Sequence, residues 1–308
     1  MLILTVWVVT LLSLLAVGLG SKGVFALGVT DRLEEQMRTR TVASSGVQFA
    51  LALLAQDPTP ETDGPAEGWA SLKDWELYRE PEIKVGVGSG LVDEDRRINL
   101  NTAPVEVLQS LFRAAGVRKE DALGLAEVVA DWRDEDDKER KHGAEGFDYE
   151  GFSPGYECKD GPFESVEELL LVKGMTPALW ATCAPTLTVY GSGKVNLNTA
   201  GAAVLSALGL STEGVNGIVA YRSGEDNTPG TSDDRLFYST ASLASDLSNW
   251  IPIEDQNRLT QLDQAKFLGI KSDAFALSVK AEGYTSKSRI QLTCVIDRSD
   301  EIKAWTEM

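Results

Sequence analysis

Between Asp131 and Glu150 the chain reads DWRDEDDKERKHGAEGFDYE, its densest run of acidic side chains. Asp131, Asp134, Asp136, Asp137, Glu145 and Asp148 place carboxylates on both sides of Gly143 and Gly146. A hard cation such as calcium takes about six to eight oxygen ligands, and carboxylates on a glycine-hinged loop can wrap one. The spacing is not that of an EF-hand, which sets acids at alternate positions around a central glycine and ends on a glutamate. Without an ion the same stretch is a solvated acidic loop, partly neutralised by Arg133, Lys138, Arg140 and Lys141. A second oxygen-rich segment, EDNTPGTSDD at 225–234, offers Asp226, Asn227, Asp233 and Asp234 around a Pro-Gly pair. Those residue types also make ordinary polar turns, and that reading is favoured there.

Other chemistry is thinly supplied. The single histidine, His142, sits among charges and reads as a solvated surface residue, so a histidine triad or zinc site has little support. Cys158, Cys183 and Cys294 lack metal-binding spacing. Cys158 and Cys183 can pair outside the cytoplasm, or all three can be buried free thiols. No nucleophile elbow, phosphate loop, HExxH or CxxC is present, and the chain reads as a non-enzyme. The net charge of −18, from 47 acidic and 29 basic residues, disfavours nucleic acid and anionic surfaces and suits a water-facing part that binds cations.

The elements that must position these loops begin with MLILTVWVVTLLSLLAVGLG, residues 1–20, which carry no charge. Roughly 20 apolar residues cross a bilayer core as a helix. Residues 21–56 continue without proline and become amphipathic, so the span runs on into a soluble helix. A plain anchor and a cleaved signal are the alternatives. The signal is disfavoured because no Lys or Arg precedes the run and the run is long. Residues 57–70 end the helix in a loop rich in Pro, Gly and acid. A weak, glycine-interrupted strand follows between Trp75 and Val92, where Ile83, Val85 and Val87 alternate with Lys84, Gly86 and Gly88.

An internal repeat comes next. INLNTAPVEVLQSL at 98–111 matches VNLNTAGAAVLSAL at 195–208. Each copy reads as a short extended piece and then a helix, with Asn101 or Thr102, and Asn198 or Thr199, expected to cap the first turn. Between the copies, Leu123–Trp132, Ser165–Val172 with a Ser165…Glu168 capping box, and Thr176–Ala184 read as helices. Near the end, Phe275, Leu277, Val279 and Ala281, then Ile290, Leu292, Cys294 and Ile296, alternate with polar or small residues as an antiparallel hairpin with one buried face. The helix, that sheet and an intervening helical insertion of roughly 170 residues, too long for a loop, make an α+β chain. Its expected divisions are a transmembrane segment at 1–20, the continuing helix at 21–56, loop and first strands at 57–100, the inserted α-helical domain at 101–270 and C-terminal strands at 271–308.

Several of these pieces, in this order, resemble one family. The apolar N-terminus, INLNTA at 98–103, DWRDEDD…HGAEGFDY at 131–149, SVEELLLVKGMT at 165–176 and VNLNTA at 195–200 are similar to the K-type minor pseudopilin of bacterial type II secretion. The resemblance implies a pilin-like long N-terminal helix packed on an antiparallel sheet, with a large α-helical domain inserted between strands. It implies calcium in the inserted domain, with Asp134, Asp136, Glu145 and Asp148 carried over as its ligands. It implies I- and J-type minor pseudopilins as partners at the tip of a pseudopilus, contact with secreted substrates or the secretin, and no nucleic acid. It places residues 1–20 in the inner membrane as a single pass and the soluble part in the periplasm. Pilin-like subunits usually carry a glutamate at the fifth processed position. Here that position is Thr5 and the first glutamate is Glu34, which suits a subunit with no neighbour above it and a chain that begins near its processed end. The rival reading is a membrane-anchored helix-hairpin-helix DNA-binding protein, suggested by residues 195–222. Leu208-Gly209-Leu210-Ser211 lacks the second glycine of that hairpin, and no basic patch follows.

Overall fold

The computed structural model describes residues 2–70, 76–79, 83–151, 155–283, 289–299 and 301–308, with backbone alone for 20–27, 76–79, 83–90 and Gly283. Trp75 and the turn residues after Gly283 lie outside this set.

Helix α1 runs unbroken over Leu2–Ala55. Its first part, Leu2–Leu19, has a mean hydropathy of 2.6 and buries nothing, so apolar side chains such as Leu4, Trp7 and Leu14 face outward. Among the described residues this is the one helix long and apolar enough to cross a membrane. Further along, Ala43, Val47, Ala50, Leu51 and Leu54 recur at helical spacing and are buried. That stripe packs on a sheet, as an amphipathic helix must.

The sheet has five antiparallel strands in the order β1-β2-β7-β8-β9. They are β1 (Glu76–Arg79), β2 (Ile83–Asp93), β7 (Ala274–Gly283), β8 (Arg289–Asp297) and β9 (Ile302–Glu307). The alternation read in the sequence is the buried face: Phe275, Leu277, Val279, Ala281, Leu292, Cys294 and Ile296 form one core with the α1 stripe, Trp69 and Leu91. Arg40 on α1 pairs with Glu307 on β9 at 2.8 Å.

Everything between β2 and β7 forms a second core of its own. The chain leaves the sheet after Asp93 and returns at Ala274, and the Glu94 N–H donates to the Ala274 carbonyl at 2.9 Å. The insertion contains two related units. In the first, β3 (Ile98–Asn99) pairs in parallel with β4 (Leu187–Thr188), and α2 (Val105–Ala114) and α3 (Lys119–Arg133) form a hairpin about Gly116, whose φ is +92°. Also in this unit are α4 (Gly146–Glu150), a 3-10 turn at Val166–Leu171 and α5 (Pro177–Cys183). In the second, β5 (Val195–Asn196) pairs in parallel with β6 (Leu268–Gly269), and α6 (Ala202–Ala207) and α7 (Thr212–Arg222) turn about Gly209, φ +89°. Helices α8 (Leu243–Asp246) and α9 (Ile253–Gln264) complete it.

The repeat does something other than cap helices. Helix α2 begins after Pro104 and α6 after Gly201, neither with a side-chain cap. Instead Asn101 and Asn198 each clasp a remote backbone. Asn101 accepts from Phe163 N–H (2.7 Å) and donates to Phe163 C=O (3.0 Å); Asn198 does the same at Phe237 (2.8 and 3.1 Å). Long-range closure outcompetes local capping because a single amide side chain satisfies both polar groups of a buried residue. The Ser165–Val172 segment is a 3-10 turn and not an α-helix, though its Glu168 accepts from Ser165 N–H at 3.3 Å as the capping box requires. Cys158 and Cys183 do not pair; both are buried free thiols, like Cys294.

Candidate metal centre

The acidic loop springs from the end of α3. Asp131 lies in the last turn and is fully buried, while Asp134 terminates the helix in extended conformation. Arg140 folds back between them, and its Nη1 donates to both carboxylates. The Asp131 Oδ2 also accepts from the main-chain N–H of Arg140 (3.2 Å) and Ala144 (3.0 Å). The chain passes so close here that a Cβ on Gly143 would sit 1.6 Å from that oxygen, and only glycine fits.

Glu145 comes next and is in a different condition. It is 9% exposed, and neither carboxylate oxygen has a hydrogen-bond donor. A Glu145 oxygen and oxygens of Asp131 and Asp134 lie within 4.8 Å of one another, and a second such group joins Glu145 to Asp160 and the Cys158 sulfur. One oxygen each of Asp134 and Asp160 is also buried without a partner. Burial first, and then the negative charges of Asp131, Asp160 and Asp134, push the Glu145 carboxyl up to about 7. Arg133 does not relieve it. That guanidinium is turned away onto the carbonyls of Leu100 and Ala103, and burial lowers it to about 10. The arrangement is a set of carboxylates with one arginine among them and several oxygens unspent. Buried oxygens of this kind suit a hard divalent cation, which would be held by Asp131, Asp134, Glu145 and Asp160. The Cys158 thiol, pushed up to about 12 by burial, is a poor ligand for such an ion.

The structure brings Asp134 and Glu145 together and does not bring the other two expected ligands to them. Asp136 is exposed, accepts from Lys138 N–H (3.0 Å) and pairs loosely with the Lys138 ammonium. Asp148 is committed to Lys173 at 2.6 Å and accepts from the Glu145 N–H at the start of α4. Asp160 was not expected. It lies outside the acidic run, and its one local signal is that it precedes Gly161, at a backbone φ of +48° that aspartate tolerates. Trp132 and Tyr149, 5.0 Å apart edge to face, and Tyr156 form the apolar wall beneath this loop. His142 is exposed, as its charged surroundings suggest.

The loop after α7 is the counterpart of this one in the second unit. Arg222 ends α7 as Arg133 ends α3, and donates to Leu197 C=O as Arg133 does to Leu100 C=O. Here, however, the acids accept mainly from the loop itself, and one oxygen of Asp234 is left buried without a partner. Asp233 accepts from the N–H groups of Glu225 and Asp226 and from the Thr231 hydroxyl, Asp226 accepts from Thr228 N–H, and Asp234 accepts from Gly230 N–H. The polar-turn reading describes it.

Comparison with known proteins bears on the same region. Residues 89–192, which hold the whole first unit and its acidic loop, match the family model for type II secretion system (T2SS) protein K. Type II secretion system protein K of Klebsiella pneumoniae is 25% identical over 67% of this chain and 68% of its own length. The protein of that description from Aeromonas hydrophila is 34% identical over 43% of this chain and 41% of its own, and that from Pseudomonas aeruginosa 26% identical over 60% and 54%. Residues 89–192 are thus a type II secretion system protein K region, and the chain is similar to that protein over most of its length. Its fold is similar to a chain in the crystal structure of the GspK–GspI–GspJ complex from the enterotoxigenic Escherichia coli type 2 secretion system. That match has a TM-score of 0.69 at 18% identity and covers 91% of this chain and 97% of that one. These relatives are named as components of a secretion apparatus and not as DNA-binding proteins. At the α6–α7 turn, Arg258 Nε donates to Leu208 C=O at 2.8 Å.

Proposed function

We propose that this chain is a minor pseudopilin that caps the type II secretion pseudopilus together with I- and J-type partners, as a structural subunit without catalysis. The carrying observation is the shape of its two parts. An exposed apolar span, Leu2–Leu19, continues as one helix into a head whose large insertion stands between neighbouring strands. The span anchors the chain in the inner membrane by length and composition, with the head in the periplasm. Apolar helix packing in the span joins it to subunits beneath. The bulk of the insertion blocks a subunit above. The role serves passage of folded proteins across the outer membrane, with secreted substrates or the secretin as further contacts. Co-expression of the full chain with I- and J-type pseudopilins should give a detergent-stable complex and label at one fibre end only. Uniform incorporation along fibres, or fibres of this chain alone, would count against it.

The same reading includes calcium in the first unit, held by Asp131, Asp134, Glu145 and Asp160. The stranded carboxylate of Glu145 supports it. A ligand bound by the folded state alone raises its melting temperature by mass action. Calcium should therefore raise the melting temperature of the wild-type chain, and Glu145→Gln with Asp160→Asn should erase most of the rise. A melting curve indifferent to chelator in the wild type would reject the ion.

A further inference from the structure

The sheet lobe and the second unit of the insertion enclose a cavity of about 450 Å³ that the metal loop and the membrane helix do not use. Its lining includes the apolar Pro65, Trp69, Leu91 and Val219. It also includes Asp93, Arg96, Asp234 and Arg222, the last already donating to Leu197 C=O. Asp93 is 3% exposed, and its Oδ2 is held by Asn196 Nδ2 (3.1 Å) and the Thr199 hydroxyl, but its Oδ1 has no hydrogen-bond partner. One oxygen of Asp234 is in the same state. Arg96 is half-buried, and among the described residues its guanidinium makes neither a hydrogen bond nor an ion pair. A buried acceptor left unmatched is costly unless something fills the gap. Domain junctions of about this volume are where ligands bind.

The missing partner must bring a donor to Asp93, an acceptor to Arg96 and an apolar body to the Trp69 wall. A metal ion does not meet this, because it would repel the Arg96 guanidinium and leave it without an acceptor. A simple anion does not meet it either, because of Asp93 and Asp234. A peptide group carries its N–H and C=O together, with a side chain beside them. We propose that this cavity binds a short internal peptide segment with an apolar side chain, its N–H donating to Asp93, its C=O accepting from Arg96 and its side chain against Trp69 and Leu91. The site stands whether or not the chain caps a pseudopilus. A segment seated there touches both lobes and fixes their relative position.

The test is calorimetric titration of the full chain in detergent with three probes: acetyl-leucyl-leucinamide, free leucyl-leucine and free leucine. The blocked dipeptide should bind saturably, and Arg96→Met should weaken it at least tenfold. Among the described residues Arg96 makes no hydrogen bond or ion pair, and an unchanged urea midpoint checks that the variant folds; Asp93→Asn, which keeps the shape and removes the charge, should weaken binding as well. Absence of saturable binding of the blocked dipeptide, binding of the free-ended probes alone, or wild-type affinity in Arg96→Met would each overturn the assignment.

Discussion

The two units of the insertion share a sequence signature and a clasp but treat their acids in opposite ways. After α3, the loop leaves Glu145 with unpaired oxygens and sets Asp131, Asp134 and Asp160 around it. After α7, each of Asp226, Asp233 and Asp234 finds backbone donors within its own loop. Composition alone does not separate the two; what separates them is where the N–H donors point. An acidic loop that satisfies itself is a turn, and one that does not has work for a cation. The units differ again in what their first asparagine holds. Asn99 donates to Tyr190 C=O within the insertion, whereas Asn196 donates to Asp93, Ser272 and the Asp63 carbonyl and so ties the second unit to the sheet lobe.

The sharpest break of this comparison is at the clasps. Asn198 is 2% exposed and Asn101 more open. Losing two hydrogen bonds and stranding the groups they satisfied should cost about 3 kcal/mol in Asn198→Ala and about half of that in Asn101→Ala, by urea denaturation. Equal losses would mean that burial does not set the difference. Next comes the loop itself. Gly143→Ala should cost about 2 kcal/mol because its Cβ overlaps Asp131, while Gly146→Ala, with open space around it, should cost well under 1. Melting both variants in chelator checks this without the ion.

A smaller effect should appear with pH at the joint between the second unit and the sheet lobe. Burial raises Asp63 from 3.8 to about 7 and Asp93 to about 6, against the pull of the Ser272 groups in both cases. Between pH ~4 and those values the folded chain keeps protons that the unfolded chain has released. This contribution is complete below the unfolded value and fades as pH rises through 6 and 7. Amides of Asn196–Ala200 should therefore open more readily at pH 8 than at pH 5.5, after correction for intrinsic exchange. Asp63→Asn should flatten the slope. A rise in protection with pH would reverse the assignment. Smallest of all, Asp226→Asn should shift stability by less than ~0.5 kcal/mol and leave any calcium response intact, since exposed turn contacts contribute little.

Much of this was legible in the chain. The α1 stripe and the alternation of Phe275–Ala281 and Leu292–Ile296 reach the core as their periods demand, because a strand or helix with one apolar face has one way to bury it. The repeat was visible as well, but its use was not. Asn101 and Asn198 look like caps from their neighbours in sequence, and their true partners, Phe163 and Phe237, are set by tertiary closure. The site was half legible. Asp134 and Glu145 stand in an obvious acidic run, while Asp160 stands apart and enters only because the Cys158–Gly161 segment crosses beneath Trp132, where Gly161 N–H reaches the Trp132 carbonyl at 3.5 Å. Nothing in the local sequence marks the acidic run Asp93-Glu94-Asp95 as buried. It is a joint, where Asp95 accepts from Ser192, Asp273 and Ala274 N–H groups and Glu94 from the Thr188 hydroxyl.

The insertion begins and ends on neighbouring strands, β2 and β7, and its two ends meet at the hydrogen bond from Glu94 to Ala274. A sheet of that topology would be complete if a tight turn replaced everything between. The register of β2 on β7 is set by their own ladder and not by the length of what lies between them. The helix and sheet are thus a chassis, and the part that distinguishes this subunit is a graft on a single hairpin.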